Sequence, residues 1–530
     1  MVLDLQLQSI VGNRTLPKLL DHRAESNPDR TFLIFEDTDR TPTTPTTWSY
    51  KDFNEKVNQV ANALLKLNVK KGDKVNIHLN NCPEFLFGWF ALSKIGAIMV
   101  PTNPISPPDE LIYPINHSEA ALTITQVDLV ESVKKVRSES PLLKTILVIG
   151  DFQTEDQSTL SFDKAIENES KKYSSNDITP SDEAAILYTS GTTSLPKGVI
   201  VTHANYIFLG EQISKNVGLN SDDRWHLHLQ LFHGNAQYYS TMTALTVGAS
   251  IALMSKFSAS RFVEQLNSYK CTVSSSLSTP MRMILAQKPK HSDKSHNLRL
   301  MIFAQNLTDD QYKEWATRFK IPLLQIFGMT ETMGQPLVNP LDGLRKNSSI
   351  GLPAFGYQCR VVDDSENEVP QGQSGQLIVK GIPGVTILKS YYKNDEATKN
   401  AIKDGWLYTG DIVKIDSDGY YYFVDRANDL IRRSGENISA GEIESVIKLH
   451  KAIGDAAVVS ISDSMYDEAI IGFVTLKANQ SVTEEELKEY CSIKMSKSKI
   501  PEKIKILNDF PRTSTGKTQK NKLREMFSKN

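Results

Sequence analysis

The sequence predicts an α/β protein, and three observations predict it. Helical and strand-like patterns alternate as far as residue 180, a strand-and-turn stretch occupies about 345–425, and a compact α+β pattern follows from 428. In the first part, Tyr50–Leu65 repeats apolar residues every three or four positions, the period of a helix. Lys74–His78 and Ile146–Ile149 are short apolar runs that read as strands. Such alternation gives a parallel sheet covered by helices. Next, Gln376–Lys380, Ile412–Asp416 and Tyr420–Val424 read as strands without helices between them, a small β-barrel or β-sheet. The turn Asp416-Ser-Asp-Gly419 looks like a calcium loop, but Ala427 stands where an EF-hand needs glutamate, so it is read as a hairpin turn. In the last part, Ile443, Val446 and Ile447 mark a helix face, while Ala456–Ile461 and Ala469–Thr475 look like strands. Thr483-Glu-Glu-Glu486 is a capping box for a helix reaching about Met495.

The totals narrow the function. A chain of 530 residues is long for one core, since domains run to about 100–200 residues. A formal charge of −2 provides no basic surface for nucleic acid or an anionic membrane. Cys82, Cys271, Cys359 and Cys491 lie far apart without a C-x-x-C pair, which argues for a reducing compartment and against a disulfide framework or zinc site. The N-terminus carries Asp4 and no basic stretch ahead of an apolar one, a poor signal peptide. The apolar run Phe85–Val100 contains Lys94 and falls short of the about 20 residues a membrane span needs, so it is read as a buried helix. A cytoplasmic protein is expected, and the sequence does not set an oligomeric state.

Chemistry concentrates in a few short stretches. Tyr188-Thr-Ser-Gly-Thr-Thr-Ser-Leu-Pro-Lys-Gly198 has the hydroxyls, glycines and lysine of a phosphate loop, yet it is not a P-loop: its lysine follows Pro196 rather than glycine. Glu183–Tyr188 reads as a strand entering the loop and Val199–His203 as a strand leaving it, so no helix dipole assists. Backbone N–H groups, the hydroxyls of Thr189, Ser190, Thr192, Thr193 and Ser194, and Lys197 must hold the anion instead. Phe327-Gly-Met-Thr-Glu331 follows a strand at Pro322–Ile326; Gly405-Trp-Leu-Tyr-Thr-Gly-Asp411 leaves an aspartate after a turn; Pro511-Arg-Thr-Ser-Thr-Gly-Lys517 leaves a lysine on a small-residue loop. A surface loop is the plainer alternative for the first stretch; taken singly, the other three read more simply as a core phenylalanine, an N-capping aspartate and a solvated lysine.

In this order, and with Asp425–Ile438 and Glu442-Ile-Glu444, the motifs resemble the adenylate-forming superfamily: acyl- and aryl-CoA synthetases, luciferases and peptide-synthetase adenylation domains. The resemblance covers essentially the whole chain. It implies a large N-terminal AMP-binding domain over 1–427, made of two helix-covered mixed sheets plus the β-barrel-like part at about 345–425, and a mobile α+β domain over 428–530. It implies that ATP, Mg²⁺ and coenzyme A serve a small-molecule carboxylate, first as an acyl-adenylate and then as a thioester. By the same resemblance the loop Thr189, Ser190, Gly191, Thr192, Thr193 and Lys197 holds the β- and γ-phosphates, Glu331 ligates Mg²⁺, Thr330 touches the α-phosphate and Phe327 stacks on adenine. Asp411 accepts the ribose hydroxyls, as an ionised acceptor can, and Arg426 adds a donor nearby. Lys517 reaches the α-phosphate and the attacking carboxylate. Asn428 is the hinge whose rotation withdraws Lys517 and presents Gly435, Glu436 and Asn437 to the thiol channel, and His233 of Phe232-His-Gly234 lies beside the acyl channel.

Two positions depart from the pattern: the hinge is more often aspartate or lysine, and a small glycine-rich turn is replaced by Phe303-Ala-Gln-Asn-Leu307. Asn81–Phe90, Ile98–Pro101 and Gln305–Leu307 are most similar to the crotonobetaine/carnitine–CoA ligase branch, with medium- or long-chain fatty acid–CoA ligases as the alternative. A trimethylammonium substrate suits an aromatic and acidic cage, for which Trp89, Trp225, Tyr238 and Tyr239 are available. His226, His228 and His233 otherwise read as the polar side of one strand, without a metal. A peptide-synthetase module is disfavoured because little chain follows Lys517 to hold a carrier domain. The motifs do not separate a luciferase-like oxygenase, and a non-catalytic nucleotide-binding regulator is disfavoured by the retained Lys517 and Glu331.

Overall fold

The computed structural model describes residues 9–38, 44–174, 177–189, 195–304, 307–346, 348–426, 429–433, 436–463, 467–496, 499–512 and 516–528. They fall in two compact units. One comprises residues up to Thr189 with Pro196–Cys359 and Val379–Leu407; the other is mainly Arg360–Ile378 and Tyr408 onward.

The first unit contains two mixed sheets. Strands β1 (Thr31–Glu36) and β2 (Thr46–Ser49) belong to the second of them; β3 (Lys74–His78), β4 (Ile98–Pro101), β5 (Leu122–Gln126), β6 (Thr145–Ile149), β7 (Thr159–Ser161), β8 (Glu183–Thr189) and β9 (Lys197–Thr202) form the first, in the order β7-β6-β5-β3-β4-β8-β9. Every pairing in it is parallel except β8 with β9. The nine-stranded sheet continues with β10 (Arg224–Leu227), β11 (Ser250–Met254), β12 (Val273–Leu277), β13 (Leu300–Ala304), β14 (Leu323–Phe327), β15 (Leu337–Val338) and β16 (Leu352–Pro353). Its order is β16-β15-β14-β13-β12-β10-β11-β1-β2, parallel in the middle and antiparallel at both ends. The expected α/β class with two mixed sheets is therefore present.

Helices form where the sequence marks their ends. The helix Tyr50–Lys66 starts at a capping box between Ser49 and Asp52 and buries Phe53, Val57, Val60 and Leu64 along one face. The apolar run after Cys82 is a helix over Pro83–Ile95 and then strand β4, rather than one buried helix to Val100. Gly96 makes the break: its φ of 73° is left-handed, a conformation open to glycine and costly to other residues. Inside this helix the Lys94 side chain is fully buried and ion-pairs with the half-buried Asp21. Burial lowers the Lys94 pKa and Asp21 opposes that shift.

In the strand-and-turn stretch, β17 (Gln358–Val362), β18 (Ser374–Lys380), β19 (Ile402–Lys403), β20 (Trp406–Ile415) and β21 (Tyr421–Arg426) share a five-stranded sheet. The hairpin reading of Asp416–Gly419 holds: Gly419 N donates to Asp416 O and Asp418 N to Asp416 Oδ1. The stretch is not free of helix, however, because Asp395–Ala401 forms one. Asn394 caps it at Ala397 N and acidic residues fill its first turn, but it buries no residue and so leaves no apolar period to read. Further along come β22 (Leu430–Arg433), β23 (Glu436–Ser439), β24 (Ile453–Asp463), β25 (Asp467–Leu476) and β26 (Lys503–Ile506), with helices at Ala440–Lys448, Glu484–Lys494 and Lys520–Ser528. Ile431, Ile443, Ile447, Val458, Ile470 and Leu487 make their core. The Thr483–Glu486 capping box is formed as read. No described helix is long and apolar enough to cross a membrane.

The Lys94–Asp21 pair yields an asymmetric prediction. Asp21→Ala removes the charge partner of a buried ammonium and should cost about 3–5 kcal/mol, whereas Lys94→Met, which removes the charge and keeps the volume, should fall within about 1 kcal/mol of wild type in urea denaturation. Equal losses in the two variants would contradict it.

Candidate active site

The phosphate-loop stretch joins two antiparallel strands. Thr189, the last residue of β8, pairs with Lys197, the first of β9, and Tyr188 with Gly198. Thr189 Oγ1 donates to Lys197 O at 3.4 Å, closing the base of the loop. Gly198 has to be small, because a Cβ there would approach Ile186 Cγ2 at 2.7 Å. Ser190, Gly191, Thr192, Thr193 and Ser194 lie outside the described residues. The strand expected to reach His203 stops at Thr202, since Thr202 caps a helix over His203–Asn216 by accepting from Asn205 N.

The second motif meets this loop through a tyrosine that sequence reasoning passed over. Strand β14 ends at Phe327, and Thr330–Thr332 form a single 3₁₀ turn. Phe327 is 9% exposed, Thr330 half-buried and Glu331 6% exposed. Tyr391 donates from its hydroxyl to Glu331 Oε1 at 3.0 Å, and Lys197 Nζ stands 5.1 Å from the centroid of the same ring. Burial first, and the Glu331 charge second, push the Tyr391 phenol well above its ordinary range, so it remains a donor. Nothing in its local sequence set Tyr391 apart from the other tyrosines. The following residues are clamped by Tyr357, whose hydroxyl lies 2.7 Å from Thr332 O and 2.9 Å from Thr386 O while accepting from Gly334 N. Gly328 is packed without room for a side chain: a Cβ would run into the Tyr239 hydroxyl and stand 2.8 Å from Gly334 O.

The region named for the acyl group follows β10. That strand ends at Leu227, so His228 and His233 are not on it, contrary to the alternating-strand reading. The interruption is a turn pinned from both sides. Asn81 donates to Leu229 O and Met254 O and accepts from Leu231 N, and Gln237 Nε2 donates to Leu231 O. His233 is exposed on this turn and its Nδ1 accepts from Asn235 N at 3.3 Å. A π-helix over Asn235–Met242 follows, a form that commonly marks a functional position. The aromatics proposed for a cage are buried: Trp89 and Tyr238 pack on either side of Tyr206, with centroids at 5.1 and 5.9 Å, and Trp225 is fully covered on β10. Trp89, Tyr238 and Trp225 thus belong to the packed interior. Gln305 and Asn306 lie outside the described residues.

In the second unit, Asp411 and Arg426 are cross-strand partners on β20 and β21, with Arg426 Nε 2.6 Å from Asp411 Oδ1. Asp411 is fully buried, while the Arg426 side chain is 47% exposed. Such a carboxylate is an acceptor of fixed orientation with one flank held by a cation. Asp425, next to it, accepts from Ser439 Oγ at 2.9 Å and Gly441 N at 3.0 Å, tying β21 to the start of the helix Ala440–Lys448. Lys517 is exposed, beside Gly516 with its φ of 80°, on a loop closed by a bridge between Arg512 and Thr518. Asn428 and Gly435 lie outside the described residues, and of Glu436 the structure describes the backbone, paired with Arg433. Thus the named residues form two groups, Lys197 with Glu331 around Tyr391, and Asp411 with Arg426.

The family model for AMP-binding enzymes matches residues 20–392, and that for the AMP-binding enzyme C-terminal domain matches 442–517. The chain belongs to the AMP-binding enzyme family. Crotonobetaine/carnitine–CoA ligase of Salmonella enteritidis is 37% identical over 97% of this chain and all of its own length, and that of Salmonella typhimurium is 36% identical with the same coverage. Among solved structures, the anthranilate CoA ligase AuaEII in complex with anthranoyl-AMP has a TM-score of 0.87 at 27% identity, covering 97% of this chain and 98% of its own. ATP-bound MatB from Rhodopseudomonas palustris has a TM-score of 0.86 at 25% identity, covering 97% and 99%. The enzyme is therefore an AMP-forming acyl-CoA synthetase of the adenylate-forming fold.

The buried histidines give this unit a pH signature. Burial holds His226 down to about 4 and His228 well below its ordinary value; their Nδ1 atoms are 3.3 Å apart, and His226 Nε2 faces Gln265 Oε1 at 3.4 Å. Below about pH 6.5 the unfolded chain takes up protons that the folded His226 refuses, so stability present above that pH is lost as pH falls toward 4. In urea denaturation between pH 7 and 5, His226→Gln should reduce the slope of stability against pH by about 1 kcal/mol per unit. An unchanged slope would show that His226 titrates normally.

Proposed function

We propose that this enzyme joins a betaine-type carboxylic acid (carnitine, crotonobetaine or a close relative) to coenzyme A in two half-reactions driven by ATP. The observation that carries the reading is the Lys197–Tyr391–Glu331 arrangement at the base of a strand-to-strand phosphate loop, in a chain that matches curated crotonobetaine/carnitine–CoA ligases from end to end. In the first half-reaction a carboxylate oxygen attacks the α-phosphorus of ATP. The P–O bond to pyrophosphate breaks, and an acyl-adenylate forms. Two anions meet in this step, so cations and donors must offset their repulsion and the charge growing on pyrophosphate. Thr189 to Thr193 and Lys197 take the leaving phosphates, Thr330 and Lys517 the α-phosphate, Phe327 the adenine, Asp411 the ribose hydroxyls, and Arg426 the space between ribose and phosphate. Glu331 presents a hard carboxylate oxygen that suits Mg²⁺, and the ion would there offset phosphate charge. In the second half-reaction the thiol of coenzyme A attacks the acyl carbon and AMP leaves.

The domain division follows from the need for two reactions at one place. We assign 1–427 to an AMP-binding domain and 428–530 to a domain that turns about Asn428, removing Lys517 and bringing Gly435 and Glu436 toward the thiol. His233 and Tyr239, whose ring reaches Gly328, are assigned to the acyl side. A trimethylammonium group is recognised by an aromatic face.

Two measurements test this. With carnitine or crotonobetaine the enzyme should release AMP and pyrophosphate, and kcat/KM should exceed that for butyrate about tenfold, as about 1–2 kcal/mol of cation–aromatic attraction would give. ADP as product would overturn the reaction, and a preference for longer fatty acids would move the substrate to that class. Separately, Lys517→Ala should slow adenylation by about 10²–10³, the usual loss for one preorganised donor, while thioester formation from supplied acyl-adenylate and coenzyme A stays near wild type. A parallel fall in both half-reactions would contradict the withdrawal of Lys517.

A further inference from the structure

The segment from Gly384 to Tyr392 runs as a strap across the outgoing arm of the phosphate loop. On one side Lys389 N donates to Ile200 O, Ile200 N to Ser390 O, and Tyr392 N to Gly198 O at 2.7 Å, while Tyr391 bridges Val199. Its earlier end is fixed by Thr202 Oγ1 on Gly384 O and Asn205 Nδ2 on Ile387 O. On the other side Leu388 N donates to Glu331 O at 2.9 Å. The strap therefore touches the loop strand and the Glu331 turn through its backbone at once. The chain turns at Gly384–Thr386, bridges Val199 at Tyr391 and turns again at Tyr392, and the two adjacent tyrosines part there. Tyr392 lies over His117, with centroids 5.6 Å apart, and its hydroxyl lies 3.4 Å from Glu119; Tyr391 goes the other way, 7% exposed, to Glu331 and Lys197.

We infer that Tyr391 is a positioning residue for adenylation, holding Glu331 through its hydroxyl and Lys197 through its ring so that carboxylate and cation keep one fixed separation. The inference rests on the proposed reaction. Its chemistry is specific to tyrosine. The phenol O–H donates to a carboxylate oxygen and fixes its rotamer, the ring face attracts an ammonium, and the two contacts use different parts of one rigid side chain. Phenylalanine keeps the second and loses the first; leucine loses both.

That split is the test. ATP–pyrophosphate exchange with the acid, and ATP binding without acid by equilibrium dialysis, are measured for wild type, Tyr391→Phe, Tyr391→Leu and Tyr392→Phe, each with its unfolding midpoint. Tyr391→Phe should lower the exchange kcat about 10–100-fold, the usual loss for a hydrogen bond to a charged group, with ATP affinity within about twofold of wild type. Tyr391→Leu should show the same fall and weaken ATP binding about 2–5-fold further, as loss of a cation–π contact does. Tyr392→Phe should behave as wild type. Full exchange activity in Tyr391→Phe overturns the inference. So does a loss in both Tyr391 variants that follows a drop in their unfolding midpoints. If wild type itself shows no acid-dependent exchange, the proposed reaction fails instead, and the binding arm still judges the residue: unchanged ATP affinity in Tyr391→Leu removes its link to Lys197.

Discussion

The antiparallel closure of β8 against β9 is the constraint from which the rest of the first unit follows. In an otherwise parallel seven-stranded sheet this pair is antiparallel, so Thr189 and Lys197 stand side by side at a sheet edge and β9 is not reached by a crossover through a helix. A loop without a helix behind it lacks the partial positive charge that a helix N-terminus lends to phosphate sites. Cationic and hydroxylic side chains must then make up the difference, and their placement needs a scaffold. The strap over Gly384–Tyr392 is that scaffold, since it hydrogen-bonds the outgoing strand along one edge and the Glu331 turn along the other.

The second unit handles negative charge in another way. Asp411 is taken out of water entirely, which is costly for a carboxylate unless it is paired, and the Arg426 guanidinium on the neighbouring strand supplies the pairing in a register fixed by β20 and β21. Asp425, next to Arg426 in sequence, accepts from Ser439 Oγ and Gly441 N on Oδ2 and from the Arg426 backbone N–H on Oδ1, so one arginine serves both carboxylates. One faces across the sheet and the other secures the entry to a helix.

Much of this was legible in the sequence where local chemistry decides the structure. The capping box at Thr483 starts a helix as read, and the Asp416 turn closes a hairpin as read, because each depends on residues within a few positions. The two strands flanking the loop also formed, with β9 beginning two residues earlier and ending one residue earlier than expected. What escaped had no local signal. The helix Asp395–Ala401 buries nothing, so it has no apolar face to detect. Gly96 splits an apolar run whose composition is uniform on both sides. Tyr391 matters through partners at positions 197 and 331, separated in sequence and joined by the strap. His228 and His233 left the strand because Asn81, in the connection after β3, holds the turn between them.

Gly328 and Tyr239 carry a consequence for how this sequence can change over time. The tyrosine hydroxyl occupies the space that any side chain at 328 would enter, and the carbonyl of Gly334 closes the other approach. Drift at the glycine is therefore contingent on a prior change at the tyrosine, whereas the tyrosine is free to shrink first at the expense of a void. The order of steps is asymmetric, and a lineage that has kept the tyrosine has also locked the glycine. Even after a change at Tyr239 the Gly334 carbonyl would still stand 2.8 Å from a Cβ at 328, so the first step alone does not release the second.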